Sequence, residues 1–260
     1  MNSQEEQISA AGVRFPGRVV LGLILWLFSL ASLYVFLHSP VFAVQEVDVE
    51  GIHSVSAAEV KRLSGIVPGS NIFVVNEKAV KERLLLHPLI KEARLERDLP
   101  HRVVLRVQER VPLVLVPVEG GFVGIDEDGC CLLRVGSLAE INLPVVTGFE
   151  LPGGGVLGEP AGVKILEEVL GAVKQFSPVL MKEIAEINAA QPEELRIYTL
   201  SRVEIKVGSV AHLRENLPLL EQIVACELKK LGEQPLEYVD MSFKGPPVVK
   251  FKGPVRGGQK

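Results

Sequence analysis

From Val19 to Leu37 the chain reads VVLGLILWLFSLASLYVFL, without a single charge. As a helix this stretch reaches about 28 Å, close to the hydrocarbon thickness of a bilayer. Gly22 and the serines are tolerable there because a helix satisfies its own backbone groups in lipid. Trp26 and Tyr34 suit a membrane segment, with Tyr34 near an interface. No other window approaches this length without charges. One crossing is therefore expected, with residues 1–18 as a short tail on one side and everything from His38 on the other.

The flanks orient the span. Arg14 and Arg18 lie just before it, whereas Glu46, Asp48 and Glu50 follow it, and no Lys or Arg appears until Lys61. The positive-inside bias places the N-terminus in the cytoplasm and the larger part outside. A cleaved leader is the competing reading, because Val41-Phe42-Ala43 has the form of a cleavage site. The apolar run exceeds the 7–15 residues typical of a leader and favours an uncleaved anchor.

The part after the span has room for one large or two modest domains. A net charge of −4 with no Lys/Arg run argues against nucleic acid. Three cysteines, two of them adjacent at 130 and 131, make no disulfide framework. On a strand, one of that pair would face the core and the other would not. Cys226 lies in a helical pattern and reads as a small apolar core residue.

Val44 to Glu50 alternates as a strand that Gly51 ends. Ser56-Ala57-Ala58-Glu59 is a capping box, with each side chain expected to satisfy a backbone donor at the other's position. The helix it opens carries Val60 and Leu63 and stops at Gly65. A second helix starts at the cap residue Asn76, carries Val80 and Leu84, and ends before His87-Pro88. Strands follow at Ile90–Arg97 and Arg102–Glu109, joined by Asp98-Leu99-Pro100-His101, with Val103, Leu105 and Val107 on one face. The order strand–helix–helix–strand–strand predicts a three-stranded sheet with two helices on one face over residues 44–111.

From residue 112 to 252 short strands and glycine turns take over. A hairpin is expected at Phe122–Asp126 and Cys130–Val135, with Asp128-Gly129 in its turn. Val163 to Phe176 reads as an amphipathic helix with Val163, Leu166, Val169, Leu170 and Val173 on one side. Further strands are expected at Ile184–Asn188, Leu195–Thr199, Arg202–Val207, Tyr238–Met241 and Val248–Lys252, with a helix from His212 to Leu231. Gly153-Gly154-Gly155 reads as a flexible joint, and residues 253–260 as a disordered tail.

Strand–helix–helix–strand–strand is also the order of POTRA modules, and the detail goes further. Val49-x-Gly51, Asn71-x-Phe73, Pro88-x-Ile90, Arg97-x-x-Pro100, Glu109-Arg110-x-Pro112 and Leu143-Pro144-x-Val146-x-Gly148 together resemble the bacterial division family FtsQ/DivIB. Each of these residues also has an ordinary physical reading: Gly51 a strand-end turn, Phe73 a core plug, Pro88 a helix stop, Pro100 a turn residue. Only their joint order and spacing is specific. The resemblance runs from Arg14 to Lys252. It implies an α+β fold with an N-terminal transmembrane helix, a small POTRA domain, and a mixed α/β domain with an extended antiparallel-rich sheet.

No chemistry is evident. The five histidines show no zinc-ligand spacing, and no G-x-S-x-G or P-loop is present, so neither catalytic residues nor a cofactor or metal is expected. Asp126, Glu127 and Asp128 form an acidic cluster that lacks the further ligands of an EF-hand and reads as a hairpin turn.

Two functions from different classes remain. The resemblance implies a non-enzymatic divisome scaffold that binds small coiled-coil proteins of the FtsB/DivIC and FtsL kinds and, through them, acts on the septal peptidoglycan synthase. The alternative is a membrane-anchored extracytoplasmic cell-wall hydrolase with an unrecognised active site. A third, an outer-membrane translocation component, would require a β-barrel for which the length does not suffice.

The last strand is expected at a sheet edge, able to accept a strand from a partner. The resemblance implies a partner site on the last two strands, carried here by Phe243, Pro247, Val248, Lys250 and Phe251. The paired prolines at 246 and 247 depart from the small residues usual in that turn. The competing reading has Phe243 and Phe251 facing inward with Val239, Met241 and Val249, whose odd parity they share.

Overall fold

The computed structural model describes residues 17–139, 141–229 and 236–251. Helix α1 (Gly17–Leu37) covers the apolar run and none of its residues is buried. Among the described residues it is the one helix long and apolar enough to cross a membrane. The expected tail at residues 253–260 and the end of the expected helix at Leu231 lie outside the described residues.

The first unit contains β1 (Glu46–Glu50), α2 (Ala57–Ser64), α3 (Glu77–Leu84), β2 (Ile90–Asp98) and β3 (Arg102–Glu109). Its sheet has the order β1-β3-β2, with β1 parallel and β2 antiparallel to the central β3. Val103, Leu105 and Val107 face the helices and pack with Val60, Val80 and Leu84, as the alternation predicts. Ser56 accepts a bond from the Glu59 N–H (3.2 Å), which makes one half of the capping box. The Glu59 carboxylate is turned instead toward Arg62 (3.6 Å) and the His87 ring (3.9 Å), so the reciprocal bond expected from the sequence is not made. Phe73 is not the core plug: it is exposed, and its neighbour Ile72 is the buried residue.

The motif residues of this unit hold one another. Asn71 Oδ1 accepts from the Phe73 N–H (2.9 Å), and the Arg97 guanidinium donates to the carbonyls of Ile72 and Val75 at 3.1 and 2.8 Å. Glu109 receives the backbone N–H groups of His53, Ser54 and Val55, which follow Gly51. Gly51 is at φ 82°, and a Cβ there would stand 2.1 Å from the Val107 carbonyl oxygen, so a side chain is excluded on two grounds.

Burial would raise the pKa of the Glu109 carboxyl, but those three N–H donors outweigh it and hold it below its ordinary value. A depressed carboxylate stabilises the fold above its unfolded pKa and loses that contribution as pH falls through the folded value. Glu109→Gln is expected to cost roughly 1–2 kcal/mol at neutral pH. The deficit should shrink in acid, read from urea midpoints at pH 7 and pH 3; a deficit constant across that range would rule out the charge as its source.

The second unit is built on a sheet of order β12-β11-β10-β9-β8-β7-β4-β5-β6 among the described residues. Its strands are β4 (Pro112–Val118), β5 (Gly121–Asp126), β6 (Cys131–Val135), β7 (Val145–Thr147), β8 (Ile184–Asn188), β9 (Leu195–Thr199), β10 (Glu204–Gly208), β11 (Leu236–Asp240) and β12 (Val248–Phe251). Helices α4 (Lys164–Val173), α5 (Pro178–Glu183), α6 (Val210–Glu215) and α7 (Leu217–Lys229) accompany it. Leu166, Val169, Leu170 and Val173 of α4 join the main core, as predicted.

Strand β4 escapes the sequence pattern because prolines sit at both of its ends. Pro117 nevertheless fits, since β7 meets β4 only at Leu115↔Val145 and demands no N–H from position 117. The helix expected from His212 breaks at Asn216, which bonds back to the His212 carbonyl, before Pro218 restarts it. Cys130 and Cys131 are both buried, contrary to the expectation that one of the pair would be open, and burial pushes the Cys131 thiol up to about 11. Cys226 is exposed rather than in the core, since α7 turns Leu220 and Val224 inward. The three glycines at 153–155 are no loose joint: Arg134 donates to the carbonyls of Gly154 (2.9 Å) and Gly155 (3.2 Å).

The two units meet at the β5–β6 turn. Arg110, the first residue after β3, reaches the Asp126 carboxylate at 2.5 Å and Asp128 at 3.3 Å. Lys91 reaches Glu127 at 2.6 Å and Asp128 at 2.8 Å, and holds both carboxyls below their ordinary range. The acidic cluster of the sequence is thus matched by cations from the first unit.

Candidate partner interface

A nine-stranded open sheet has two edges, and they are treated differently. At β6 the chain covers the start of its own edge: Cys131 N–H donates to the Glu159 carbonyl (2.9 Å), and Gly158 N–H donates to the Cys131 carbonyl (2.7 Å). At β12 no described residue pairs with the outer side, and all four of its residues are exposed. An uncovered edge of this kind offers a row of backbone donors and acceptors. Its shortness, the prolines before it and a lysine at its centre restrain indiscriminate pairing.

The edge is held from beneath. Strand β12 lies antiparallel to β11, with Val239 opposite Val249 and Asp240 opposite Val248. Strand β11 runs parallel to β10 and is followed by Met241, which is buried and whose N–H donates to the Lys206 carbonyl (2.9 Å). His212 Nε2 lies 2.7 Å from the Met241 carbonyl oxygen and ties α6 to the same point. Asp240 then accepts from the N–H and hydroxyl of Ser242. Burial opposes its ionisation, yet those bonds hold its carboxyl below the usual range. The turn therefore leaves a fixed base and carries Phe243 outward.

Of the five residues singled out by sequence, four are exposed: Phe243 (44%), Val248, Lys250 and Phe251 (43%); Pro247 is half-buried. Parity is right about the face and wrong about its consequence. Val249 stands opposite the buried Val239, so it and Phe251 do point to the helix side of the sheet. Val249 is nonetheless exposed there, whereas Val239 and Met241 are buried. Val248 and Lys250 face the opposite, polar side.

On that side lies a feature the sequence reading missed. The Tyr238 ring has Lys206 Nζ at 5.0 Å and Lys250 Nζ at 5.6 Å from its centroid, and Lys250 also pairs with Glu237 at 2.9 Å. The signal available was the alternation of Tyr238 and Asp240 with the apolar Val239 and Met241. It identifies Tyr238 as a polar-face residue, but the lysines come from two other strands.

Comparison with known proteins agrees with this architecture. The POTRA domain of FtsQ type matches residues 42–110, and the C-terminal domain of cell division protein FtsQ/DivIB matches residues 114–242. The chain belongs to the FtsQ/DivIB family of cell-division proteins.

Cell division protein DivIB of Clostridium botulinum (strain Loch Maree / Type A3) is 26% identical over 238 residues, covering 87% of this chain and 89% of that protein. Cell division protein FtsQ of Myxococcus fulvus is 27% identical over 176 residues, covering 66% and 61%. Cell division protein DivIB of Geobacillus kaustophilus is 33% identical over 154 residues, 58% of each. The solved extracytoplasmic domain of DivIB from Geobacillus stearothermophilus overlaps 48% of this chain and 99% of its own at 14% identity, with a TM-score of 0.34. The FtsQ/DivIB match stops at Ser242, so Phe243, Pro247, Val248, Lys250 and Phe251 lie just beyond it.

Proposed function

We propose that this FtsQ/DivIB protein is a non-enzymatic scaffold of the division septum. Residues 1–18 lie in the cytoplasm and the single helix Val19–Leu37 anchors the chain. The POTRA unit (44–111) and the β unit (112–252) stand outside the membrane. The β12 edge binds small coiled-coil division proteins of the FtsB/DivIC and FtsL kinds, and these link the chain to the septal peptidoglycan synthase.

The carrying observation is the contrast between the two edges of the large sheet: the chain pairs its own residues 158 and 159 with the start of β6, whereas no described residue pairs with the outer side of β12. A partner strand laid on β12 would gain main-chain bonds, with Phe251 and Phe243 as aromatic anchors and Lys250 setting the charge preference. Relatives named for cell division favour this reading over the cell-wall hydrolase. External protease on intact spheroplasts tests the orientation, and should remove everything beyond about Val44.

The binding test is Phe251→Ala in the full chain, with affinity for the FtsB/DivIC-like coiled-coil protein and thermal stability measured on the same sample. Affinity is expected to fall roughly tenfold or more, as for an aromatic hot spot, with an unchanged melting temperature because the ring is exposed. Retained affinity with a lowered melting temperature would make Phe251 a packing residue and move the interface elsewhere.

A further inference from the structure

The POTRA unit is joined to the end of the span by more than the chain itself. Asn71 Nδ2 donates to the carbonyl of Leu37, the last residue of α1, at 2.6 Å. The Phe42 ring lies 5.2 Å from that of Phe36, in the last turn of the span, and 5.1 Å from that of Phe73. Ile72 N–H donates to the Phe42 carbonyl, and Gln45 N–H to that of His101. The loop between α2 and α3 and the β2–β3 turn therefore stand beside the point where the helix leaves the hydrocarbon.

The surface there is apolar. Val41, Val67, Phe73, Val74 (71%) and Leu99 are all exposed, although they come from three separate segments. No charged residue occurs from Ile66 to Asn76. The nearby Arg97 has its guanidinium turned to the loop carbonyls. Val67 and Val74 line the same shallow groove, of about 250 Å³. Clusters of exposed apolar side chains mark contact surfaces, and aromatic and aliphatic residues at the edge of a span settle in the headgroup boundary.

We propose that this end of the POTRA unit dips into the outer headgroup region of the bilayer, as a second membrane contact beside the span. Its occupant is lipid because the surface adjoins the end of α1, to which the Asn71–Leu37 bond and the Phe36–Phe42–Phe73 ring contacts join it. Insertion of Phe73, Val74 and Val41 fixes the angle at which the three strands, and the β unit beyond Glu109, rise from the membrane.

The test uses the full chain in phosphatidylcholine–phosphatidylglycerol vesicles with and without brominated acyl chains. In a Trp26→Phe background, Phe73→Trp and Val74→Trp each supply a single tryptophan. Leu86→Trp supplies the control, since Leu86 is 80% exposed near the far end of the unit, where Ile90 pairs with Glu109. F73W and V74W are expected to emit at shorter wavelength than L86W and to lose intensity on bromination, while L86W does not change. Quenching of Trp26 in the unsubstituted chain reports separately that the span is inserted. F73W and V74W unquenched while Trp26 is quenched would overturn the contact. So would protection that appears only when another protein is reconstituted alongside, because the occupant would then be protein.

Discussion

Leu105→Ala is expected to cost about 2–5 kcal/mol, the range for a truncated core leucine. Leu105 is fully buried in the central strand of the three-stranded sheet, opposite Val49 on one side and Leu95 on the other. Strands flank it on both sides and two helices lie above it, so the cavity has little means of closing. A unit of this size buries a small core, and a loss of that magnitude removes much of its stability. Val104→Ala provides the contrast. Val104 lies on the other face, between Asp48 and Glu96 in the ladder and next to Arg102, which pairs with Asp48. Its truncation removes fewer contacts and should cost distinctly less. Equilibrium urea unfolding of both variants checks this, and a larger loss for Val104→Ala would mean that the two faces are assigned the wrong way round.

Much of that first unit is legible in the sequence because its elements are separately specified. Caps at Ser56 and Asn76, stops at Gly65 and Pro88, and alternation in β2 and β3 each act locally. What the sequence does not display is why the motif residues occur together. Asn71 and Arg97 converge on one loop, and Gly51 and Glu109 on another, through hydrogen bonds of Arg97 across 22 and 25 positions and of Glu109 across 54 to 56, which no period reveals. The same limit explains Phe73, which stands beside the truly buried Ile72 and is turned outward toward the end of the span.

In the second unit, prolines mask β4 in the sequence and brevity masks α5, and nothing local to the acidic turn points to its cations, because Lys91 and Arg110 lie in the other unit. At the β12 edge, parity assigned Phe251 to the correct face. Whether a face is covered depends on which helix lies over it, and that is a tertiary fact. The same is true of Tyr238, whose flanking lysines come from β10 and β12.

Arg110→Ala is expected to cost roughly 3 kcal/mol, toward the lower end for breaking a buried ion pair. Asp126 is 1% exposed and carries a charge that only Arg110 offsets at 2.5 Å among the described residues. The cost stays at the lower end because Asp126 also accepts from the N–H groups of Asp128 (2.9 Å) and Cys130 (2.8 Å), which remain in the variant. The decisive measurement is the double variant. Asp126→Asn placed on Arg110→Ala removes the stranded charge while leaving an acceptor for those N–H groups, so it should restore part of the stability lost. Lys91 supplies an internal comparison, because its partners Glu127 and Asp128 are largely solvent-exposed. Lys91→Ala should cost about 1 kcal/mol or less, and the difference should fade in 1 M salt, which screens exposed pairs and leaves a buried one in place. Asp128 is shared by both cations, so the two substitutions should not add. If instead Arg110→Ala faded with salt as Lys91→Ala does, and Asp126→Asn deepened its loss, the carboxylate would be solvated, and the POTRA unit would not be fastened to the β unit at this turn.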